Sequence, residues 1–126
     1  MTDNIKLHTV ERVTTMTIAR PEKRNAITQD MYAAMADALE DYAKSDDVRA
    51  FVITGAEDYF TSGNDLQDFV MGARGDGVPP VIRFLTAIST CPKPLVAAVN
   101  GPAIGVGVTL LLHCDLIIVS DTATFS

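Results

Sequence analysis

The sequence predicts an α/β protein with mostly parallel strands and crossover helices, and three observations predict it. Short apolar runs rich in β-branched residues recur along the chain, as buried strands require. Between them lie stretches whose apolar residues repeat at helical spacing. The order is strand–strand–helix, strand–helix–helix, strand–helix, strand. Parallel neighbours need such crossovers, whereas antiparallel ones can be joined by a tight turn.

The first two strands lie in "IKLHTVERVTTMTIAR". There Val13, Thr15 and Thr17 alternate with Thr14, Met16 and Ile18, and Pro21 of "RPEKRNAIT" breaks the pattern. From Thr28, a candidate N-cap, the residues Met31, Met35, Ala38, Leu39 and Tyr42 follow helical spacing to about "KSDD". "VRAFVITGA" is a buried strand stopped by Gly55, and "EDYFTSGNDLQDF" is a polar, glycine-bearing loop leading into a helix. "GARGDGVPP" is expected to be a mobile loop. "VIRFLTAIST" is helical, with Ile82, Phe84, Leu85 and Ile88 on one broad face. "KPLVAAVNG" is the next strand, Gly105 to Leu112 the next helix, "DLIIVSD" a strand, and "TATFS" opens another connection.

The length of 126 residues fits one compact domain. The net charge of −6 argues against a nucleic-acid binder, which would carry a basic face. Cys91 and Cys114 belong to no CxxC pair, so a disulfide framework or a zinc site is not expected and a reducing cytoplasm is. "MTDNIKLHTVERV" lacks the apolar core of a signal peptide, and the apolar run around Val106 to Leu112 is too short to span a bilayer. A soluble protein without a membrane partner is the expectation.

The stretch "NGPAIGVGVTLLLHCD" holds Gly101, Gly105 and Gly107 before an uncharged run. Its G-x-x-x-G-x-G spacing matches neither the dinucleotide fingerprint nor the Walker loop, and no lysine follows. An oxyanion-binding turn fits better. Glycines at 105 and 107 let backbone N–H groups face outward where a helix starts, and an apolar helix behind them would keep the site dry. A second donor is then needed. "FTSGNDL" offers one, because Gly63 in a sharp turn would expose the N–H of Asn64 while Asp65 caps the following helix. Taken alone, Ser62, Asn64 and Asp65 read first as ordinary cap and turn residues.

Three linked stretches, "RPEKRNAI", "YFTSGNDLQDF" and "CPKPLVAAVNGPAIGVGVTLLLHCDLIIVSDTATFS", resemble the enoyl-CoA hydratase/isomerase (crotonase) superfamily in order and spacing, from about Val13 to Ser126. The resemblance implies a crotonase-like spiral of β-β-α units, incomplete here. Residues 1–126 would be the N-terminal part of such a domain, ending before the family's C-terminal half. It also implies an acyl-CoA or enoyl-CoA substrate, no metal, no cofactor apart from the coenzyme A of the substrate, and a homo-oligomer, trimer or hexamer. Residue by residue, the two oxyanion-hole N–H groups fall on Asn64 and on Val106. Arg24, Ala26, Ser62, Asp65 and Leu66 fall along the coenzyme A and pantetheine path, and Gly63, Gly105 and Thr109 are further substrate-binding positions. Lys23 or Arg24 would meet coenzyme A phosphates, or else be a solvated charge.

Held in such a hole, a thioester acidifies its alpha carbon and passes through an enolate, and a carboxylate then moves the proton. Hydratases of the superfamily carry a glutamate where this chain has Thr109, whose hydroxyl cannot serve as an acid–base group near neutral pH. That departure resembles the enoyl-CoA delta isomerase branch, whose carboxylate would lie beyond Ser126. Double-bond isomerisation of an enoyl-CoA is therefore expected, with hydration or non-catalytic acyl-CoA binding as the alternatives. A half-spiral is also expected to expose apolar surface and strand edges and to associate through them.

Overall fold

The computed structural model describes residues 2–72 and 77–126. Strands β1 (Ile5–Val10) and β2 (Val13–Ile18) form an antiparallel hairpin in which Val10 faces Val13. Its two turn residues, Glu11 and Arg12, both take positive φ, 50° and 69°, the handedness that matches the twist of a two-residue hairpin. Strands β3 (Ala50–Gly55), β4 (Leu95–Val99) and β5 (Leu116–Val119) follow in parallel, giving one five-stranded sheet in chain order. The mixed α/β architecture and its mostly parallel sheet are as the strand–helix alternation predicts.

Helix α1 (Gln29–Lys44) starts where expected, with the Thr28 hydroxyl accepting the Met31 N–H at 3.2 Å. Its apolar face buries Met31, Tyr32, Met35, Ala36, Ala38, Leu39 and Tyr42. These residues meet the inward side chains Met16 and Ile18 of β2 and Phe51 and Ile53 of β3 in one core. Helix α3 (Pro80–Thr90) packs along α1, and Arg83 bridges to Asp37 and Glu40 at 2.7 and 2.8 Å. Its buried stripe is narrower than the spacing suggests: Phe84 and Ile88 are buried, but Ile82 is exposed. Helices α2 (Leu66–Gly72) and α4 (Val106–Leu111) are short. Of the segment expected to be a mobile loop, residues 73–76 lie outside the described residues. Cys91 and Cys114 are half-buried free thiols.

A second, minimal ladder runs beside the sheet. Isolated parallel bridges join Ile27 to Asn64, Thr61 to Ala103, and Ala103 to Phe125. Each partner follows the C-terminal end of a sheet strand, in the sequence β2–Ile27, β3–Thr61, β4–Ala103, β5–Phe125. The chain thus repeats strand, short bridge, helix, which is a β-β-α unit. The last strand carries no cover: Leu116, Ile117, Ile118 and Val119 are all exposed, as are Leu112 and Phe125.

Candidate functional site

Where the bridges stack, three loops converge at the C-terminal ends of parallel strands, the usual position for sites in α/β sheets. The loop 20–27 supplies the frame. Asn25 is fully buried in the left-handed conformation, φ 58°, which asparagine tolerates better than other residues with a Cβ. Its side-chain oxygen accepts the Arg20 N–H at 2.9 Å, and its amide donates to the Ala56 and Tyr59 carbonyls at 2.9 and 2.8 Å. The Asn25 carbonyl in turn accepts the Thr61 hydroxyl at 2.6 Å. One side chain therefore ties this loop to the 56–61 loop that precedes the first glycine turn.

The first turn lies directly against that frame. The Ser62 N–H donates to the Arg24 carbonyl at 3.1 Å, Ile27 N–H to the Gly63 carbonyl at 2.8 Å, and Asp65 N–H to the Ile27 carbonyl at 2.9 Å. Gly63 takes φ 99°, and a Cβ there would sit 3.2 Å from the Ile104 carbonyl of the second turn. The bonds on either side of Asn64 leave its own N–H without an acceptor among the described residues. Its side-chain oxygen instead accepts the hydroxyl of buried Tyr32.

The second turn is a tight reversal at Ile104–Gly107. Gly107 N–H donates to the Ile104 carbonyl at 3.0 Å, and Gly105 has φ 60° and ψ −118°. These are the angles of the first central residue of a type II′ turn, where glycine is dominant. Val106, the second central residue, carries the N–H that such a turn leaves unbonded, and this group has no acceptor among the described residues. The turn is held from both sides. Ile104 N–H donates to the Thr61 carbonyl at 3.0 Å, and Gly105 N–H donates to the Ser126 carbonyl at 2.9 Å. Gly107 is buried against Thr61, whose methyl carbon would lie 2.7 Å from an added Cβ.

The remaining sequence-predicted positions divide into groups. Arg24 is exposed, with φ 53°, and lines a cavity of about 210 Å³ with Pro21, Asn25, Ala56, Glu57, Asp58 and Tyr59. Ala26 and Ser62 are partly exposed, and Leu66 is 77% exposed on the first turn of α2. Thr109 is exposed, and its hydroxyl donates back to the Gly105 carbonyl at 3.4 Å. Asn64 and Gly105 are exposed too, so within these residues the site is open to water rather than dry.

Asp65 is committed elsewhere. Its carboxylate accepts the Asp68 N–H at 2.8 Å, capping α2 as predicted, and pairs with Arg20 at 2.6 Å. The Asp68 N–H first, then the Arg20 guanidinium, hold this carboxyl below its ordinary value of 3.8. A depressed folded value stabilises the fold above the ordinary range, and that contribution is lost as pH falls through the depressed value. Stability is therefore expected to drop as pH falls below about 4. Asp65→Asn, which keeps a cap acceptor but no charge, is expected to flatten that limb in pH-dependent urea titrations.

Asn25, Tyr32 and Arg20 were not singled out from the sequence. Asn25 had a signal, an asparagine at the end of a polar run after a proline, where a left-handed residue is at home. The Tyr32 hydroxyl and the Arg20–Asp65 pair join residues distant in the chain, and a single sequence gives no sign of either.

The family model described as "Enoyl-CoA hydratase/isomerase" matches residues 8–126. Enoyl-CoA delta isomerase 2 of Rattus norvegicus is 44% identical over 119 residues, 90% of this chain and 30% of that protein. The peroxisomal Enoyl-CoA delta isomerase 3 of Mus musculus is 42% identical over 119 residues, 90% of this chain and 37% of that protein. A crystal structure of an enoyl-CoA hydratase/isomerase from Pseudoalteromonas atlantica T6c superimposes with a TM-score of 0.94 at 50% identity, covering 98% of this chain and 49% of the other. The chain thus spans between about a third and a half of the length of these relatives.

Proposed function

The chain belongs to the enoyl-CoA hydratase/isomerase family, and we propose that it supplies the thioester-polarising half of an enzyme that moves the double bond of an enoyl-CoA. The observation that carries this reading is the pair of N–H groups, Asn64 and Val106, that have no acceptor among the described residues and lie on two interlocked turns. Both groups are held by neighbouring bonds that leave them free to donate. A thioester oxygen accepting both would gain most as negative charge develops, because preorganised donors need no rearrangement at that moment. The alpha proton then becomes acidic and the enolate is the intermediate.

In this reading Ser62, Gly63, Leu66 and Gly105 flank the thioester and pantetheine, with Ala26 beside them. Arg24, exposed at the rim of its cavity, meets a coenzyme A phosphate as a charge-assisted donor. No separate cofactor enters, because coenzyme A is part of the substrate. The proton is carried by a group outside the described residues, since Asp65 is occupied by Arg20 and the α2 terminus and Thr109 is bonded to its own helix. The bare threonine at 109 and the delta isomerase names of two relatives favour isomerisation over hydration. The exposed apolar strand β5 favours association, as a trimer or hexamer of the whole protein. Free Cys91 and Cys114 suit a reducing compartment such as the cytoplasm, although one relative's name is peroxisomal. No described helix is long and apolar enough to cross a membrane.

The test is a comparison of two assays on the protein that carries this chain. Conversion of a 3-enoyl-CoA to its 2-enoyl isomer, with hydration of crotonyl-CoA slower, is the expected result. Hydration at an ordinary enzymatic rate would overturn the isomerase assignment. Tight acyl-CoA binding in calorimetry with neither reaction would leave a binding protein.

A further inference from the structure

We infer that Tyr32, a buried residue of α1, positions the Asn64 N–H through the Asn64 side chain. The inference rests on the thioester-polarising reading above and adds to it the part that aims one of its two donors.

Tyr32 is fully buried, and its hydroxyl donates to the Asn64 side-chain oxygen. Its ring is wedged between two helices, 6.1 Å from Phe69 of α2 in an edge-on arrangement and 5.4 Å from Phe84 of α3. Such packing leaves the ring little rotational freedom, so the hydroxyl is a fixed point. Burial raises the phenol well above its ordinary value, which keeps the donor protonated across the whole working pH range.

Asn64 itself is exposed, and an exposed asparagine would ordinarily move among rotamers. Backbone bonds from Ile27 hold Gly63 on one side and Asp65 on the other. Those bonds hold the carbonyl of the peptide that carries the Asn64 N–H and the N–H of the peptide that follows it. The bond to Tyr32 braces the same residue from its side-chain end. It also links the donor's aim to the seating of α2 and α3, since both helices press on the Tyr32 ring. A small misdirection of a donor is expensive in the transition state.

Tyr32→Phe keeps the ring and its packing and deletes only the hydroxyl. In the protein that carries this chain, 3-enoyl-CoA isomerisation is expected to lose kcat about tenfold with KM within about twofold, the signature of an interaction made in the transition state. Asn64→Ala removes the acceptor, so Tyr32→Phe is expected to have no further effect in that background. Equal losses in both backgrounds, or an unchanged kcat, would overturn the inference. The ¹⁵N order parameter of the Asn64 amide gives a readout independent of turnover, and it is expected to fall in Tyr32→Phe from the rigid-backbone range of about 0.85. If the unmodified protein turns over no enoyl-CoA, the functional reading fails while this relaxation measurement still decides the positioning role. An unaltered order parameter would sink it.

Discussion

Replacing Gly105 by alanine is expected to lower enoyl-CoA turnover by about 10²–10³-fold, the loss typical of removing one oxyanion donor. Space is not the obstacle, since a Cβ at this position meets nothing within 4 Å. The backbone is. With φ 60° and ψ −118°, Gly105 sits where an L side chain is strained by about 1–3 kcal/mol. Alanine relieves that strain by re-forming the turn with negative φ, and the Val106 N–H then no longer points where it did. Gly77 provides the control. It has φ 102° and equally open surroundings among the described residues, but lies outside the two turns. Gly77→Ala is expected to lose some stability and keep its turnover, which separates strain in general from misdirection of a donor.

The second large effect is expected at Asn25, and it falls on stability. Asn25→Ala removes three hydrogen bonds from a fully buried position and leaves the Arg20 N–H and the Ala56 carbonyl without this partner, while the Tyr59 carbonyl keeps the Asn100 amide at 3.1 Å. It also places alanine in a left-handed conformation. Each buried group left unsatisfied costs about 1–3 kcal/mol. A total loss of about 3–5 kcal/mol in urea unfolding is therefore expected, large for a single change. Asn25→Asp keeps the shape but turns an acceptor toward two carbonyls. Its defect is expected to be at least as large near neutral pH and to ease in acid, where a protonated carboxyl can donate. A loss below about 1 kcal/mol for Asn25→Ala would mean that the frame around the first turn is held by the backbone alone.

Much of this architecture was legible in the residues because local signals and global fold agree. The β-branched runs, the Thr28 cap, and the prolines and glycines at strand ends place β1 to β5 and the four helices close to their observed limits. Gly105 was legible for the same reason, since only glycine suits the turn it makes. The Asp65 cap was legible from its place one residue before α2. Long-range pairing was not. Arg20 and Asp65 are far apart in sequence, and nothing local announces that one neutralises the other. The exposure of Ile82 was missed because helical spacing marks an apolar face but not how much of it a neighbour covers. The expected dryness of the site was missed for a related reason. An apolar helix behind a turn buries its own far side and says nothing about what lies in front.

The Asn64 side chain is the clearest case of a role invisible from spacing. An oxyanion donor is a backbone group, and any residue with suitable φ and ψ can supply it. The side chain then looks free to vary. In the fold it receives the Tyr32 hydroxyl, so residue identity at 64 matters to aim even though the side chain does not face the substrate in the proposed chemistry.

The central claim is that Asn64 and Val106 donate together to one thioester oxygen, and the most direct measurement is the infrared carbonyl stretch of a bound acyl-CoA labelled with ¹³C at that carbon. Two donors are predicted to shift the bound carbonyl to lower frequency than in water, and Gly105→Ala is predicted to return most of that shift while the ligand remains bound. A bound carbonyl that absorbs at its solution frequency in the unmodified protein would contradict the account.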